Sequence, residues 1–190
     1  MAKNTNSIGT KVSASKPEGQ DLEEEDLSDQ KMDYAYLKYA NLKEADFSDT
    51  SLRNAVLAEA DLSESNLAGA DLSGADLREA NLQGANLRGA NLQGALLVRA
   101  NLAEANLRRA NLAGADLQWV KFMGTNLRSA DLSGADLRDA VYSEDTTWPR
   151  RFKPINHGAL PIKFLPGVLV RDSGLEEYLE EDDDEDSDEF

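Results

Sequence analysis

A five-residue repeat dominates the sequence. From residue 37 to residue 142 every fifth residue is large and apolar, and these 22 consecutive positions hold 19 Leu, two Phe and one Tyr. Two positions before each of them stands Ala in 18 cases of 22, and the residue between is Asn or Asp in 16. An internal repeat determines the architecture of the segment that contains it, so this periodicity constrains the fold more than any other feature.

Neither an α-helix nor a straight β-strand satisfies the repeat. A helix turns by about 100° per residue, so steps of five would scatter the large residues around its whole circumference. A straight strand would send successive large residues to opposite faces. The conflict disappears if the chain bends once per five residues, always in the same sense, so that Ala and Leu point inward. The sequence therefore predicts stacked coils about 4.8 Å apart, in which each buried Leu contributes about 1.5 to 3 kcal/mol.

The outward positions suit such bends. Asn and Asp have short side chains that bond to nearby backbone groups. Glycine eases tight bends and takes the last position of the pentad eight times, at residues 69, 74, 84, 89, 94, 114, 124 and 134. The spacing by itself leaves open whether three or four bends close one coil.

The pattern Ala-(Asp/Asn)-Leu-x-x, clearest at residues 75–79 and 85–89, resembles the pentapeptide-repeat family. The resemblance covers Ala35 to Tyr142. It implies an all-β fold, a right-handed quadrilateral β-helix with about 20 residues per coil, and hence a rod roughly 26 Å long over this stretch. Known members of the family include inhibitors of DNA topoisomerases that resemble double-stranded DNA in shape and charge.

The flanks divide into four further segments. We expect residues 1–19 to be disordered. Residues 20–34 keep the phase through Leu22, Leu27 and Met32, and form either degenerate repeats that cap the first coil or an acidic disordered lead-in. Both ends of a β-helix need cover against aggregation. Residues 143–172 are a Pro-rich candidate capping extension, in which Trp148 and Phe152 would cover the last coil. Residues 173–190 are predicted to form a short helix followed by an acidic disordered tail.

Composition points away from catalysis. The chain has no Cys and one His, His157, whose neighbours in sequence suggest an ordinary surface or capping role. The repeat positions of the Asp residues are explained by backbone bonding, so no catalytic residue, cofactor site or metal site is predicted. Met1 to Gln20 contain no apolar run, and we expect a cytoplasmic protein with no membrane, nucleic-acid or small-molecule partner.

The distribution of charge bears on the family's DNA mimics. Lys and Arg number 4, 11 and 5 in residues 1–34, 35–142 and 143–190, against 8, 14 and 14 Asp and Glu, which gives −4, −3 and −9 and sums to the formal net charge of −16. A DNA mimic needs a strongly acidic coil. The coil here is nearly balanced, so inhibition of a topoisomerase-type enzyme is the alternative rather than the first hypothesis.

The outward positions that depart from the repeat are more informative about function than the positions that follow it. With 20 residues per coil, apolar exceptions fall on the side that carries Leu57 and Leu77, with one just around the corner, and together they form a candidate protein-binding face: Tyr36, Tyr39, Val56, Leu96, Val98, Trp119 and Met123. Either this chain's own residues 162–180 cover the face, or a protein partner or second copy does. A second candidate face, for acidic partners or the acidic tail, is formed by Arg88, Arg108, Arg109 and Arg128.

These observations favour a non-catalytic interaction scaffold or regulatory binding module. An exposed apolar surface on a polar solenoid is typical of a contact site, and Trp119 is the expected anchor. The partner is an unidentified protein or another copy of the chain. The oligomeric state stays open at this point.

Overall fold

The computed structural model describes residues 19–165 and 168–171, with side chains described as far as Ile162. The predictions for residues 1–18, for the helix within 173–179 and for the acidic tail lie outside the described residues. No helix within the described part of the chain has the length and apolar character needed to cross a membrane.

The repeats wind into a β-helix in which each residue pairs with the residue 20 positions later. Parallel bridges run in four columns, which define four faces of the coil. Leu42 N–H donates to the Asp61 carbonyl at 2.7 Å, and Asp61 N–H donates to the Ala40 carbonyl at 2.9 Å. The first, second, third and fourth faces carry the bridge columns that begin at Asp21, Asp26, Lys31 and Tyr36.

The inward positions form one continuous apolar core. Leu77 and Leu97 are 0% exposed, and Phe47 and Phe122 replace Leu at two places in the same core. Burial of this apolar surface is the main stabilising contribution of the coil. Where Thr50 and Thr125 replace the inward Ala, each buried hydroxyl donates to a backbone carbonyl at 2.7 Å, so no polar group is left unpaired there.

Each corner is a β-turn between an inward Leu and the next inward residue. Ala80 N–H donates to the Leu77 carbonyl at 3.1 Å, and Glu79, the second residue inside the turn, has φ of 60°. A positive φ at this position suits glycine, and Gly89 has φ of 72°. Many corners nevertheless carry a larger side chain in the same strained conformation.

The regular coil begins upstream of Ala35. Asp21 already bridges Asn41, and Leu22 and Leu27 are buried, so residues 20–34 have the same coil conformation as the repeats that follow. The side chain of Gln20 is buried where Ala stands in later repeats. The structure thus places these residues within the stack rather than beside it.

The spacing changes after the last regular repeat. Asn126 bridges Thr147, 21 positions later, and strand β1 (Val141–Tyr142) pairs in parallel with strand β2 (Leu160–Leu165), with Val141 opposite Leu160. A short 3₁₀ helix, η1 (Pro154–His157), lies between them. Strand β3 (Val168–Arg171) then pairs antiparallel with β2, with Ile162 opposite Arg171.

An aromatic cluster lies at this end of the core. The Trp148 ring is 5.5 Å from Phe122, 5.4 Å from Tyr142 and 5.5 Å from Phe152. Tyr142, Trp148 and Phe152 are partly buried and pack against the core. The His157 ring stacks on Phe152 at 4.5 Å, so the one histidine contributes to this packing.

Candidate interaction surfaces

Three of the four faces carry ladders of amide side chains between coils. On the second face, Asn66 Nδ2 donates to Asp46 Oδ1 at 3.0 Å, and Asn86 Nδ2 donates to Asn66 Oδ1 at 3.0 Å. Asn66 Oδ1 also accepts the Ala68 backbone N–H at 3.3 Å. Similar bonds join Asn101 to Asn81 on the first face and Asn111 to Asn91 on the third. The ladders bind each coil to the one before it.

The fourth face has no amide ladder among its described bridge residues, which are Tyr36, Val56, Asp76, Leu96, Asp116 and Asp136. Its carboxylates bond within their own coil instead. Asp76 accepts two bonds from the Arg78 guanidinium at 2.7 and 2.6 Å, and Asp136 accepts three from the Arg138 guanidinium at 2.9, 3.0 and 2.5 Å. The Arg78 guanidinium also lowers the pKa of Asp76 below its usual range.

The apolar residues predicted for this face lie on it in two groups. Tyr36, Tyr39 and Val56 form what we term the proximal apolar group, and Leu96, Val98 and Trp119 form the distal apolar group. A coil with charged residues separates the two: Arg78 pairs with Asp76 at 2.6 Å, and Glu79 pairs at 3.7 Å with Arg99 of the next coil. The apolar surface is therefore two patches rather than the single face that the repeat spacing suggested.

Two of the three residues in the distal apolar group are exposed, against one of the three in the proximal apolar group. Trp119 is 44% exposed and Leu96 is 39% exposed, whereas Val98 is half-buried. Trp119 occupies the second position of its turn with φ of 62°, a conformation that a bulky side chain adopts at a cost. Met123 lies around the corner on the first face and is also half-buried.

Tyr34 is an exposed aromatic residue that the sequence pattern did not single out. It is 72% exposed at the corner between the third and fourth faces, next to the proximal apolar group. Tyr39 in that group is 42% exposed, and the Lys38 ammonium lies 4.3 Å from its ring centroid. The attraction between the cation and the ring holds Lys38 over part of this patch. Tyr34 lies upstream of Ala35, where the regular repeats begin, so it is not among their outward exceptions.

The four predicted arginines lie together at the corner of the second face. The carbonyls of Arg88, Arg108 and Arg128 accept backbone bonds from the preceding coil at 3.1, 3.0 and 3.1 Å, so these residues stand one above another. Arg109 lies beside them, and all four are exposed. Arg150 and Arg151 occupy the corresponding turn of the next coil. Sequence spacing did not find this pair because the repeat phase ends at Tyr142.

The described surface offers little for catalysis or metal binding. No group of three or more His, Cys, Asp or Glu side chains that could hold a metal ion occurs in the described part of the chain. A cleft of about 310 Å³ lies at the end of the third face, and the residues that line it include Leu132, Gly134, Arg150, Phe152 and His157. The features that distinguish this molecule are therefore its two differing outer faces.

The fold and these surfaces define a class: a repeat β-helix protein with a mostly Leu and Ala core and varied outward positions. Its sequence matches the model of the family described as pentapeptide repeats, in eight copies, over residues 18–49, 45–84, 55–94, 85–124 and 121–141. The chain belongs to the pentapeptide repeat family, whose members are generally structural or binding proteins rather than catalysts.

Solved structures agree with this assignment. The chain is 29% identical to the pentapeptide repeat protein Rfr23 from the cyanobacterium Cyanothece 51142, over 68% of this chain and 88% of that one, with a TM-score of 0.52. It is 34% identical to HetL, a pentapeptide repeat protein involved in heterocyst differentiation regulation in the cyanobacterium Nostoc sp. strain PCC 7120, over 75% of this chain and 70% of HetL, with a TM-score of 0.39.

A third likeness concerns the fold alone. The plasmid-mediated fluoroquinolone resistance protein QnrB1 is 19% identical, over 74% of this chain and 79% of that one, with a TM-score of 0.56. A search among curated proteins finds no match to this chain.

Proposed function

We propose that the protein is a non-catalytic interaction scaffold whose β-helix presents the distal apolar group to a protein partner. The observation that carries the proposal is the exposure of Trp119 and Leu96, at 44% and 39%, on a coil whose other outward positions are mostly polar. Water contact with such large apolar side chains is unfavourable, and burial against a partner removes it.

The local backbone supports a role in binding rather than in stability. Trp119 stands at a turn position with φ of 62°, where Gly114 and Gly124 stand at neighbouring turns with φ of 67° and 66°. Glycine would remove the strain at this position. A tryptophan at this position exposes a large aromatic surface. Tryptophan is enriched among the residues that dominate binding energy at protein interfaces.

Paired variants test the proposal. Affinity capture from native cell extract should lose the same proteins with Trp119→Ala and with Leu96→Asp. The matched controls are Ser129→Ala, at the same turn position on the opposite corner, and Gln93→Asp, on the third face. For a purified partner we expect a loss of affinity of about 30-fold or more for Trp119→Ala, which corresponds to about 2 kcal/mol. Proteins that are still captured by both variants would refute the proposal.

The identity of the occupant follows from one further measurement. If the purified protein dimerises in light scattering and Leu96→Asp makes it monomeric, the partner is a second copy. The alternative function, DNA mimicry, predicts inhibition of topoisomerase supercoiling at micromolar protein. The arginines at the second-face corner oppose binding to a basic DNA-binding groove, so we expect no inhibition.

We infer that residues 143–172 cap the end of the β-helix. Tyr142, Trp148 and Phe152 pack against the core there, and Leu132 in the last regular coil is only 6% exposed. Trp148→Ala should expose that end and produce larger species in size-exclusion chromatography, since uncovered strand edges pair with one another. Unchanged elution with an intact fold would argue against the cap. The right-handed sense of the helix and the cytoplasmic location are further expectations.

A further inference from the structure

The arginines at the corner of the second face extend over four successive coils. Phe152 N–H donates to the Pro149 carbonyl at 3.0 Å, which closes a turn equivalent to the one in which Ala130 N–H donates to Leu127 at 2.9 Å. Arg150 therefore holds the position in its turn that Arg128 holds in the preceding one. We term the whole set the arginine corner: Arg88, Arg108, Arg109, Arg128, Arg150 and Arg151. At about 4.8 Å per coil it extends over roughly 14 Å.

The guanidinium groups of this corner have no carboxylate within 4.0 Å in the described part of the chain. The arginines elsewhere on the coil differ. Arg53 pairs with Asp33 at 2.6 Å, Arg78 pairs with Asp76 at 2.6 Å, and Arg99 pairs with Glu79 at 3.7 Å. Like charges stacked in successive coils repel one another, and an anionic ligand laid along them would relieve that repulsion.

The chain itself contains a segment of the opposite charge. Residues 172–190 hold 12 Asp and Glu and no Lys or Arg, and ten consecutive residues from Glu180 to Glu189 include nine acidic ones. No segment of comparable charge density occurs elsewhere in the sequence. Arginine and carboxylate form the strongest common pairs of charged hydrogen bonds, so this segment is chemically complementary to the corner.

The described chain ends within reach of the corner. Arg171 lies opposite Ile162 in the β2–β3 pair, and β2 pairs with β1, so the chain leaves the rod at the end where Arg150 and Arg151 stand. Glu180 follows nine residues after Arg171 and can lie up to about 30 Å from it. One side of a coil has five residues and measures at most about 17 Å, so the segment can reach across the end of the rod.

We propose that the acidic segment 180–189 binds the arginine corner of its own chain. A tethered ligand has an effective concentration in the millimolar range, so weak ion pairs suffice to keep the corner occupied at low salt. An acidic segment of another protein then has to displace the internal one before it can bind. This self-contact is independent of the distal apolar group and would regulate a second surface of the scaffold.

Paramagnetic relaxation in the full chain tests the contact. The sequence has no Cys, so Ser187→Cys accepts a single spin label. We expect the label to broaden the backbone amides of Gly89, Arg109 and Ser129 at the corner, and to leave Gly74 and Gly94 on the third face sharp. The broadening should disappear at about 0.5 M salt, because the Debye length is then only a few ångströms.

A charge-matched pair of triple variants separates local from overall electrostatics. Arg108→Gln, Arg128→Gln and Arg150→Gln together should abolish the broadening. Arg53→Gln, Arg78→Gln and Arg99→Gln remove the same number of charges elsewhere and should leave it in place. Circular dichroism confirms that each triple variant is folded.

Three outcomes would overturn the proposal. One is uniform broadening over all faces, and another is equal loss of the contact in both triple variants. The third is broadening that appears only when spin-labelled protein is mixed with an unlabelled, isotope-enriched copy, which would assign the contact to a second chain. Broadening confined to the corner within one chain, and lost only in the first triple variant, supports it.

Discussion

The second and fourth faces of the coil lie over the same kind of interior and differ almost completely outside. Leu87 behind the second face and Leu97 behind the fourth are both 0% exposed. Outside, Asn66 and Asn86 bond from coil to coil, whereas Asp76 on the fourth face bonds to Arg78 within its own coil. The bridge column of the second face therefore joins successive coils through its side chains, whereas the side-chain bonds of the fourth bridge column stay within single coils.

This difference explains where function can accumulate. A substitution in an amide ladder leaves donors or acceptors unpaired in the coils above and below, which costs stability. A substitution in the fourth bridge column has no such consequence. Apolar groups such as Leu96 can therefore occupy the fourth bridge column without breaking a side-chain bond between coils, so this column is open to selection for binding.

The largest expected effect tests the part that the two faces share. Leu87→Ala and Leu97→Ala should each reduce the free energy of unfolding by about 2 to 5 kcal/mol, through lost burial and the cavity left behind. Urea denaturation measures both. Because the interior is the same behind the two faces, the two losses should agree within about 1 kcal/mol. A much smaller loss for Leu97 would mean that the faces differ inside as well.

The next effect tests the ladder itself. Asn86→Leu removes the bond to Asn66 Oδ1 at 3.0 Å and the acceptor for the Arg88 N–H at 3.4 Å. We expect a loss of about 1 to 3 kcal/mol in the free energy of unfolding, since partly buried polar groups in adjacent coils lose their partners. Unchanged stability would show that the amide ladder does not hold the coils together. Partner binding through Trp119 should be unaffected.

The reverse exchange on the fourth face should be nearly neutral for folding. Leu96→Asn replaces an exposed apolar group with the residue typical of the other faces. We expect the free energy of unfolding to change by less than about 0.5 kcal/mol, as for most surface substitutions. Partner affinity should fall at the same time, which isothermal titration with the purified partner measures. A large loss of stability would show that Leu96 stabilises the coil, and would contradict the difference in side-chain bonding between the two faces.

The smallest effect concerns acid titration next to the fourth face. Hydrogen bonds from Arg53 and Ser51 lower the pKa of Asp33 from 3.8 to about 2. Because the folded-state pKa is depressed, the stabilisation from this pair is fully present above pH 3.8 and is lost as the pH falls through about 2. Carbon-detected NMR titration of the carboxyl should show this. Arg53→Gln should return the pKa towards 3.8, and Arg128→Gln should leave it unchanged.

Much of the fold could be predicted because the five-residue spacing of the large apolar residues corresponds directly to the bends of the chain. Each inward Leu depends only on its own coil and the neighbouring ones, so local spacing suffices to predict a repeat β-helix. The pairing of β2 with β1 and β3 could not be predicted in the same way. It depends on the 21-residue step from Asn126 to Thr147, and the five-residue spacing up to Tyr142 does not predict that step.

The surfaces were partly predictable for the same reason. A period of 20 residues predicts which residues share a column, which is how Leu96 and Trp119 were assigned to one side. It does not predict whether a residue in the same column interrupts a patch. The bond between Arg78 and Asp76 divides the apolar surface, and it depends on side-chain conformations rather than spacing. Arg150 joins the arginine corner although it lies 22 rather than 20 residues after Arg128, so the repeat spacing does not predict its place.

The change in register at the last coil has a consequence for how such a molecule can change length. An insertion of 20 residues anywhere in the regular coil adds one complete coil and leaves every other side chain in its column. The steps of 21 residues from Asn126 to Thr147 and 19 from Val141 to Leu160 instead shift the residues that follow out of the 20-residue register. The described chain departs from the step of 20 after Tyr142, so an added coil keeps the columns of its neighbours only when it is inserted before that residue.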